Sequence, residues 1–227
     1  MEKSQQLVLG FLATNSYRAE DFLVDLSNEK AYQMVLSQDR WGSHGLVLWG
    51  DAKVGKTHLA HLFQKKTGAV FLTEDHLEKL EKGEDCTENF QVFILDSLEI
   101  VLPSYEKALF HLSNLLKEKG GSFLILSQRP PGEWKISLKD LESRLKAFLA
   151  IHVQNPSDSL LEAILMKKSG DLQIILDPKV IAYLLTHGER APGALQKFLE
   201  ELNEFSLSQR QKITIPLVKA FIDLQNS

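Results

Sequence analysis

Gly50-Asp-Ala-Lys-Val-Gly55-Lys56-Thr57 fits the pattern G-x-x-x-x-G-K-[ST] at every position. The apolar run Gly45-Leu-Val-Leu-Trp49 leads into it, and the amphipathic Thr57-His-Leu-Ala-His-Leu-Phe63 leads out. The loop therefore joins a strand to a helix, the arrangement this pattern requires. The glycines permit tight backbone geometry, so that successive N–H groups of Gly50, Asp51, Ala52, Lys53, Val54 and Gly55 point inward at phosphate oxygens. Lys56 has the reach for the outer phosphates, the Thr57 hydroxyl can ligate Mg²⁺, and the helix that follows sets its positive end against the anion. The stretch reads as a polyphosphate cradle.

Working outward, Ala69-Val-Phe-Leu72, Gln91-Val-Phe-Ile-Leu95, Ser122-Phe-Leu-Ile-Leu126 and Ala150-Ile-His-Val153 are further short apolar runs. Such runs mark strands buried on both faces of a sheet. Thr57 to Lys66, Ser104 to Lys119 and Leu138 to Phe148 read as the intervening helices, which implies a parallel α/β sheet. Asp96 ends one strand and would face the phosphates from its carboxyl end, as the second metal-holding group beside Thr57. The next position, where an acid would activate water, is Ser97, and a serine hydroxyl is a poor base near neutral pH. Glu99 would point away from the site if the strand simply continued, so efficient intrinsic ATP hydrolysis is not expected. Gln128, after the strand ending at Leu126, reads either as an amide donor to the phosphates or as part of a polar loop.

The character changes near Asn155-Pro156-Ser157, after which helical periodicity takes over. Helices are expected from about Ser157 to Lys168, from Pro178 with Asp177 as N-cap and Gly188 past its end, from Pro192 to Phe205, and from about Thr214 to Leu224. The fold class is thus α/β, a parallel-sheet nucleotide-binding domain followed by a small all-helical lid. With 227 residues, 44% hydrophobic and 25% charged, the composition is that of an ordinary globular protein. No run approaches the roughly 18 apolar residues of a membrane span, and Met1-Glu-Lys-Ser-Gln-Gln lacks the pattern of a secretory signal. The lone Cys86 excludes an intrachain disulfide and a cysteine-rich metal site. A formal charge of −4 gives no basic footprint for duplex DNA. Cytoplasm is the expected location.

With these residues in place, the sequence resembles the DnaA-type branch of the AAA+ family. The resemblance is carried by Leu48-Trp-Gly-Asp-Ala-Lys-Val-Gly-Lys-Thr-His-Leu59, in which His58-Leu59 is typical of the branch. Ser127-Gln-Arg-Pro-Pro131 is similar to its first sensor region, and Leu141-Glu-Ser-Arg-Leu145 to its arginine-finger box. Glu20-Asp-Phe-Leu-Val24 with Ser27-Asn28 is similar to its adenine-side segment, which puts Phe22 and Leu23 near the base. Two features narrow the resemblance to Hda-like proteins, regulators that inactivate the initiator DnaA. No counterpart of the DNA-reading helix-turn-helix follows the helical part, and Gln209-Arg-Gln-Lys-Ile-Thr-Ile-Pro-Leu-Val-Lys219 is similar to the close of Hda proteins. The N-terminal Gln5-Gln6-Leu7-Val8-Leu9-Gly10-Phe11 looks like the peptide with which such proteins dock on the β sliding clamp. There the Gln6 amide would bond a groove edge while Leu7, Val8, Leu9 and Phe11 meet apolar surface. The same residues would also serve as a strand on the protein's own core.

The resemblance implies a clamp-binding segment at 1–15, an AAA+ domain at 16–155 and a lid at 156–227. It implies ADP or ATP with Mg²⁺, with ADP in the working state, and Arg144 as a finger acting in trans on ATP held by DnaA. The alternative for Arg144 is a solvated ion pair with Glu142 or Asp140. Arg190 matches the second-sensor position in a register that could be off by one; a solvent-facing arginine at a helix start is the alternative. The implied partners are the clamp and DnaA, with DNA reached only through the clamp, no membrane, and homo-oligomer formation left open. The implied location is the bacterial cytoplasm, at the nucleoid through the clamp. Rival readings are an AAA+ motor or helicase loader living on its own ATP hydrolysis, and a DnaA paralogue that binds DNA. A P-loop small-molecule kinase would carry a lid arginine cluster, whereas Leu160 to Gly170 holds only Lys167 and Lys168.

Overall fold

Alternation along β1 (Gly45–Trp49) shows how the sheet is built. Leu46 and Leu48 are fully buried in one core cluster, with Leu59 and Phe63, while Val47 is buried in another, with Leu109 and Leu112. Successive strand residues face opposite sides, so the sheet has helices on both faces. The computed structural model describes residues 22–42, 45–87 and 91–225. The expected clamp-binding residues Gln6, Leu7, Val8, Leu9 and Phe11 lie outside the described residues.

The remaining strands are β2 (Val70–Phe71), β3 (Val92–Leu95), β4 (Ser122–Ser127) and β5 (Leu149–His152). They form a five-stranded sheet in the order β2-β3-β4-β1-β5, with every pairing parallel. Parallel neighbours bring their carboxyl ends to one edge, so the ends of β1, β3 and β4 share it: Trp49, Leu95 and Ser127. On one face lie α1 (Glu29–Val35) and α2 (Lys56–Thr67); on the other lie α3 (Glu74–Glu81), α4 (Leu98–Lys119) and α5 (Lys139–Lys146). The helical part comprises α6 (Asp158–Asp171), α7 (Pro178–His187), α8 (Pro192–Gln209) and α9 (Ile215–Gln225) around its own core, which includes Leu161, Leu165, Leu184, Leu199 and Val218. Asp177 caps α7 as its sequence suggests, accepting the Lys179 N–H at 2.8 Å.

Besides α1, a helix not expected from the sequence, two elements differ from expectation. The helix expected from Ser104 begins at Leu98 and runs through Pro103, with a kink at Tyr105 (φ −130°, ψ 32°). Tyr105 leaves helical geometry there, so a short helical stretch from Leu98 meets a longer one at the kink. The second is α3, which follows Thr73: its hydroxyl and the His76 backbone and ring form a capping box. Among the described residues, no helix is long and apolar enough to cross a membrane.

Candidate phosphate-binding site

The loop after β1 is curled by three residues of positive φ: Gly50 at 153°, Lys53 at 64° and Gly55 at 104°. Gly50 also has no space for a side chain, because a Cβ there would stand 2.3 Å from the Val153 carbonyl oxygen. Gly55 opens α2 without a side-chain cap, so the first N–H groups of the helix remain directed ahead of it. Lys56 is buried, and its ammonium donates to the carbonyls of Gly50 and Asp51, each at 2.7 Å. Burial pushes its pKa below the usual lysine range, against the opposing pull of Glu99, Asp96 and Asp51. The Thr57 hydroxyl donates to Asp96 Oδ2 at 3.0 Å, which brings the two expected metal-holding groups together. Among the described residues there is no cluster of three or more His, Cys, Asp and Glu side chains that could hold a metal. A Mg²⁺ at Thr57 and Asp96 would therefore complete its octahedron with phosphate oxygens and water, its usual habit.

Ahead of the loop lies a cleft of ≈ 630 Å³, a size suited to a small ligand. Lys53, Val54, Gly55, Lys56, Thr57 and His58 line its floor, Phe22, Leu23 and Asn28 one wall, and α6 and α8 the other. Phe22 stacks on Tyr32 (5.6 Å between centroids, 9° between planes) and meets His58 edge-on at 5.1 Å. Asn28 fixes the wall by donating to the Leu23 carbonyl at 2.9 Å. Lys53 reaches across to Glu189 of the helical part at 2.6 Å. A buried cation, a bare helix start, a Thr–Asp oxygen pair and an aromatic wall suit a nucleoside polyphosphate with its divalent ion.

Other expected site residues stand elsewhere. Asp51 offers its carbonyl to Lys56, but its carboxylate accepts from the Asn155 amide at 2.7 Å. Ala52 is exposed in the loop and does not line the cleft. Gln128 is exposed beyond β4, also outside the cleft walls, because the Glu99 carboxylate takes its backbone N–H at 2.5 Å and holds that loop. Arg190 is likewise not a wall of the cleft: its guanidinium pairs with Asp158 at the start of α6. Arg190 thus stands in an exposed ion pair at the start of the helical part.

Glu99 corrects an expectation. The strand does not continue past Asp96: Ser97 adopts φ 59°, ψ 60°, and α4 starts at once. That turn brings Glu99 back over the carboxyl edge of the sheet. Its Oε1 accepts from the Ser127 hydroxyl at 2.5 Å, from Gln128 N–H at 2.5 Å and from Arg129 N–H at 3.3 Å. Burial alone would raise its pKa, but the Ser127 bond and the backbone N–H groups outweigh this and hold the carboxyl below its ordinary value.

Arg144, on the last turn of α5, lies outside the cleft walls. Its guanidinium sits over the Phe110 ring at 5.1 Å and donates to Ser113 Oγ at 3.4 Å. Of the two acids expected as alternative partners, Glu142 and Asp140, Glu142 is taken instead by Lys146 at 2.7 Å. Arg144 is thus half-buried on α4, with no carboxylate paired to it among the described residues.

Residues 157–222 match the family model described as "Hda, lid domain". An uncharacterised protein of Haemophilus influenzae is 26% identical over 193 residues, covering 78% of this chain and 80% of that one. Among solved structures, domain III of the Thermotoga maritima replication initiation protein DnaA is similar with a TM-score of 0.75 at 17% identity, covering 90% of this chain and 95% of that one. AMPPCP-bound DnaA from Aquifex aeolicus gives 0.69 at 19% identity, covering 85% and 67%.

Proposed function

We infer that this chain, an Hda-like, DnaA-related protein of AAA+ fold with a helical lid, is a negative regulator of DNA replication initiation. It holds adenine nucleotide with Mg²⁺ in the cleft and docks on the DNA-loaded β sliding clamp through Gln6 to Phe11. There it stimulates hydrolysis of the ATP bound to DnaA, through Arg144 acting in trans. The observation that carries the reading is the Hda-type lid, residues 157–222, joined to a fold shared with DnaA.

The chemistry assigned to each residue follows from its surroundings. Lys56 and the start of α2 would take phosphate oxygens, Thr57 and Asp96 would hold Mg²⁺, and Phe22 and Leu23 would face the base. The bound nucleotide supplies anionic charge that satisfies the loop and bridges it to the lid. Arg144 cannot serve the same role in its own cleft, since it stands on α5 over Phe110. A permanently charged guanidinium that stands away from its own cleft is suited to a neighbouring molecule's triphosphate. Offered to a developing charge there, such a group accelerates hydrolysis by about 10³–10⁵-fold.

The test is DnaA-dependent ATP hydrolysis on clamp-loaded DNA. Arg144→Ala should bind clamp and nucleotide normally yet fail to stimulate DnaA. Replacing Gln6, Leu7 and Leu9 by alanine should abolish clamp binding and leave nucleotide binding intact. Full stimulation by the Arg144 variant would remove the finger, and unchanged clamp affinity would remove the N-terminal assignment.

A further inference from the structure

The helix that carries Arg144 is short: α5 has eight residues, and Leu138 at its N-cap offers no side-chain acceptor. Helices of that length are marginal without outside support. Glu106 of α4 secures the entry instead. Its carboxylate accepts from Ser137 N–H at 2.8 and 3.1 Å and from Leu138 N–H at 2.9 Å, the two residues immediately before the helix. An anionic group there also suits the positive end of α5. At the far end of α5, Arg144 lies over the Phe110 ring and donates to Ser113 Oγ. Glu106, Phe110 and Ser113 are spaced i, i+4 and i+7, so one stripe of α4 holds both ends of α5. Between those ends, the fully buried Leu141 and Leu145 share a core with Leu109 and Leu112. Apolar burial of that kind is non-directional, whereas hydrogen bonds fix an orientation.

Resting on the reading of Arg144 as a finger, we propose that Glu106 is a positioning residue for it: by anchoring the start of α5, it sets where the guanidinium stands when a neighbouring molecule's triphosphate arrives. Glu106 does not line the protein's own cleft, so it acts through α5 and not through the bound nucleotide. Without its carboxylate the entry to α5 loses its acceptor, the helix pivots on Leu141 and Leu145, and Arg144 shifts at the opposite end. A charge offered to a transition state has to be in place beforehand, and a misplacement of about 1 Å costs about 10²-fold in rate.

The test compares Glu106→Ala, Glu106→Gln and Arg144→Ala in the full chain, in DnaA-dependent ATP hydrolysis on clamp-loaded DNA. Glu106→Ala should lower the maximal stimulated rate about tenfold while the half-saturating concentration stays within about twofold of wild type. Glu106→Gln keeps an acceptor oxygen for both N–H groups and should restore most of the rate. In nitrogen–proton NMR spectra the Arg144 side-chain signal, assigned by its loss in Arg144→Ala and displaced by the Phe110 ring, should move in Glu106→Ala and stay in Glu106→Gln. Should the alanine variant fail to fold, Glu106→Asp, which draws the carboxylate back by one methylene, carries the same two readouts and should shift both in the same direction. A wild-type rate, a raised half-saturating concentration with the maximal rate intact, an unmoved Arg144 signal, or a Gln variant as impaired as the Ala variant would overturn the proposal while leaving the finger in place. Full stimulation by Arg144→Ala would overturn the finger reading itself, and this inference with it.

Discussion

Gly50 and Thr57 sit seven residues apart in one loop, yet they should fail in different ways. Any Cβ at Gly50 would collide with the Val153 carbonyl, and Val153 N–H is bonded to Trp49 O at 2.8 Å, so the strain would reach the β1–β5 pairing. Gly50→Ala should destabilise the fold by about 1–3 kcal/mol in a denaturant melt. Thr57→Ala removes only a half-buried hydroxyl and its bond to Asp96, and should shift the same melt by about 1 kcal/mol or less. Its loss should appear in titrations with and without Mg²⁺, where the variant no longer gains affinity from the ion. The loop and its metal pair are legible in the sequence because residue type and spacing carry their chemistry. Glu99 is not, because its direction depends on one backbone torsion at Ser97 that no periodicity reports. Arg190 is equally hidden, since its partner Asp158 is distant in sequence and belongs to another helix.

Among whole elements, α4 shows what a pattern reading gains and loses. The expected helix start at Ser104 falls beside the kink at Tyr105, and a further helical stretch from Leu98 precedes it. The extra turn is what carries Glu99. At the far end, Lys119 holds the segment before β3 by donating to Asp85 at 2.7 Å and to the buried Thr87 hydroxyl at 2.8 Å. The Lys119 bond, with those from Thr87, holds the Asp85 carboxyl at about 2, below the 3.8 of a free aspartate. A carboxyl depressed on folding contributes stability that is complete above the unfolded value and is lost as pH falls through the folded one. Asp85→Asn should therefore lower the melting temperature near neutral pH, with a difference that shrinks below 3.8 and vanishes near about 2. The effect should stay below about 1 kcal/mol, because both partners are about one-third exposed. A difference independent of pH would assign the loss to something other than the carboxylate.

For the molecule as a whole, the question is what sets the lid against the sheet. Lys53–Glu189 crosses the cleft, but both side chains are more than half exposed, and such pairs contribute about 0–1 kcal/mol. Asp25 is better placed. It accepts from Ser27 N–H at 2.9 Å, from the Ser27 hydroxyl at 2.5 Å and from Ser157 Oγ at 2.7 Å, while Ser157 caps α6 by accepting Leu160 N–H at 3.1 Å. Gln154 N–H adds a bond to Ser27 O at 3.2 Å. The segment bearing Phe22 and Leu23 is thus tied to the first turn of the lid, so one side chain couples two walls of the cleft. Asp25→Ala should speed amide exchange in the first turn of α6 and leave that of β1 and β4 unchanged. It should also weaken nucleotide binding about 3–30-fold and reduce ligand-induced thermal stabilisation in proportion, since a ligand stabilises only the arrangement it binds. Lys53→Ala should change neither exchange nor melting appreciably. If Asp25→Ala left both exchange and affinity at wild-type values, the lid would be oriented by apolar packing alone, and the hydrogen bonds at its base would be a consequence of that packing.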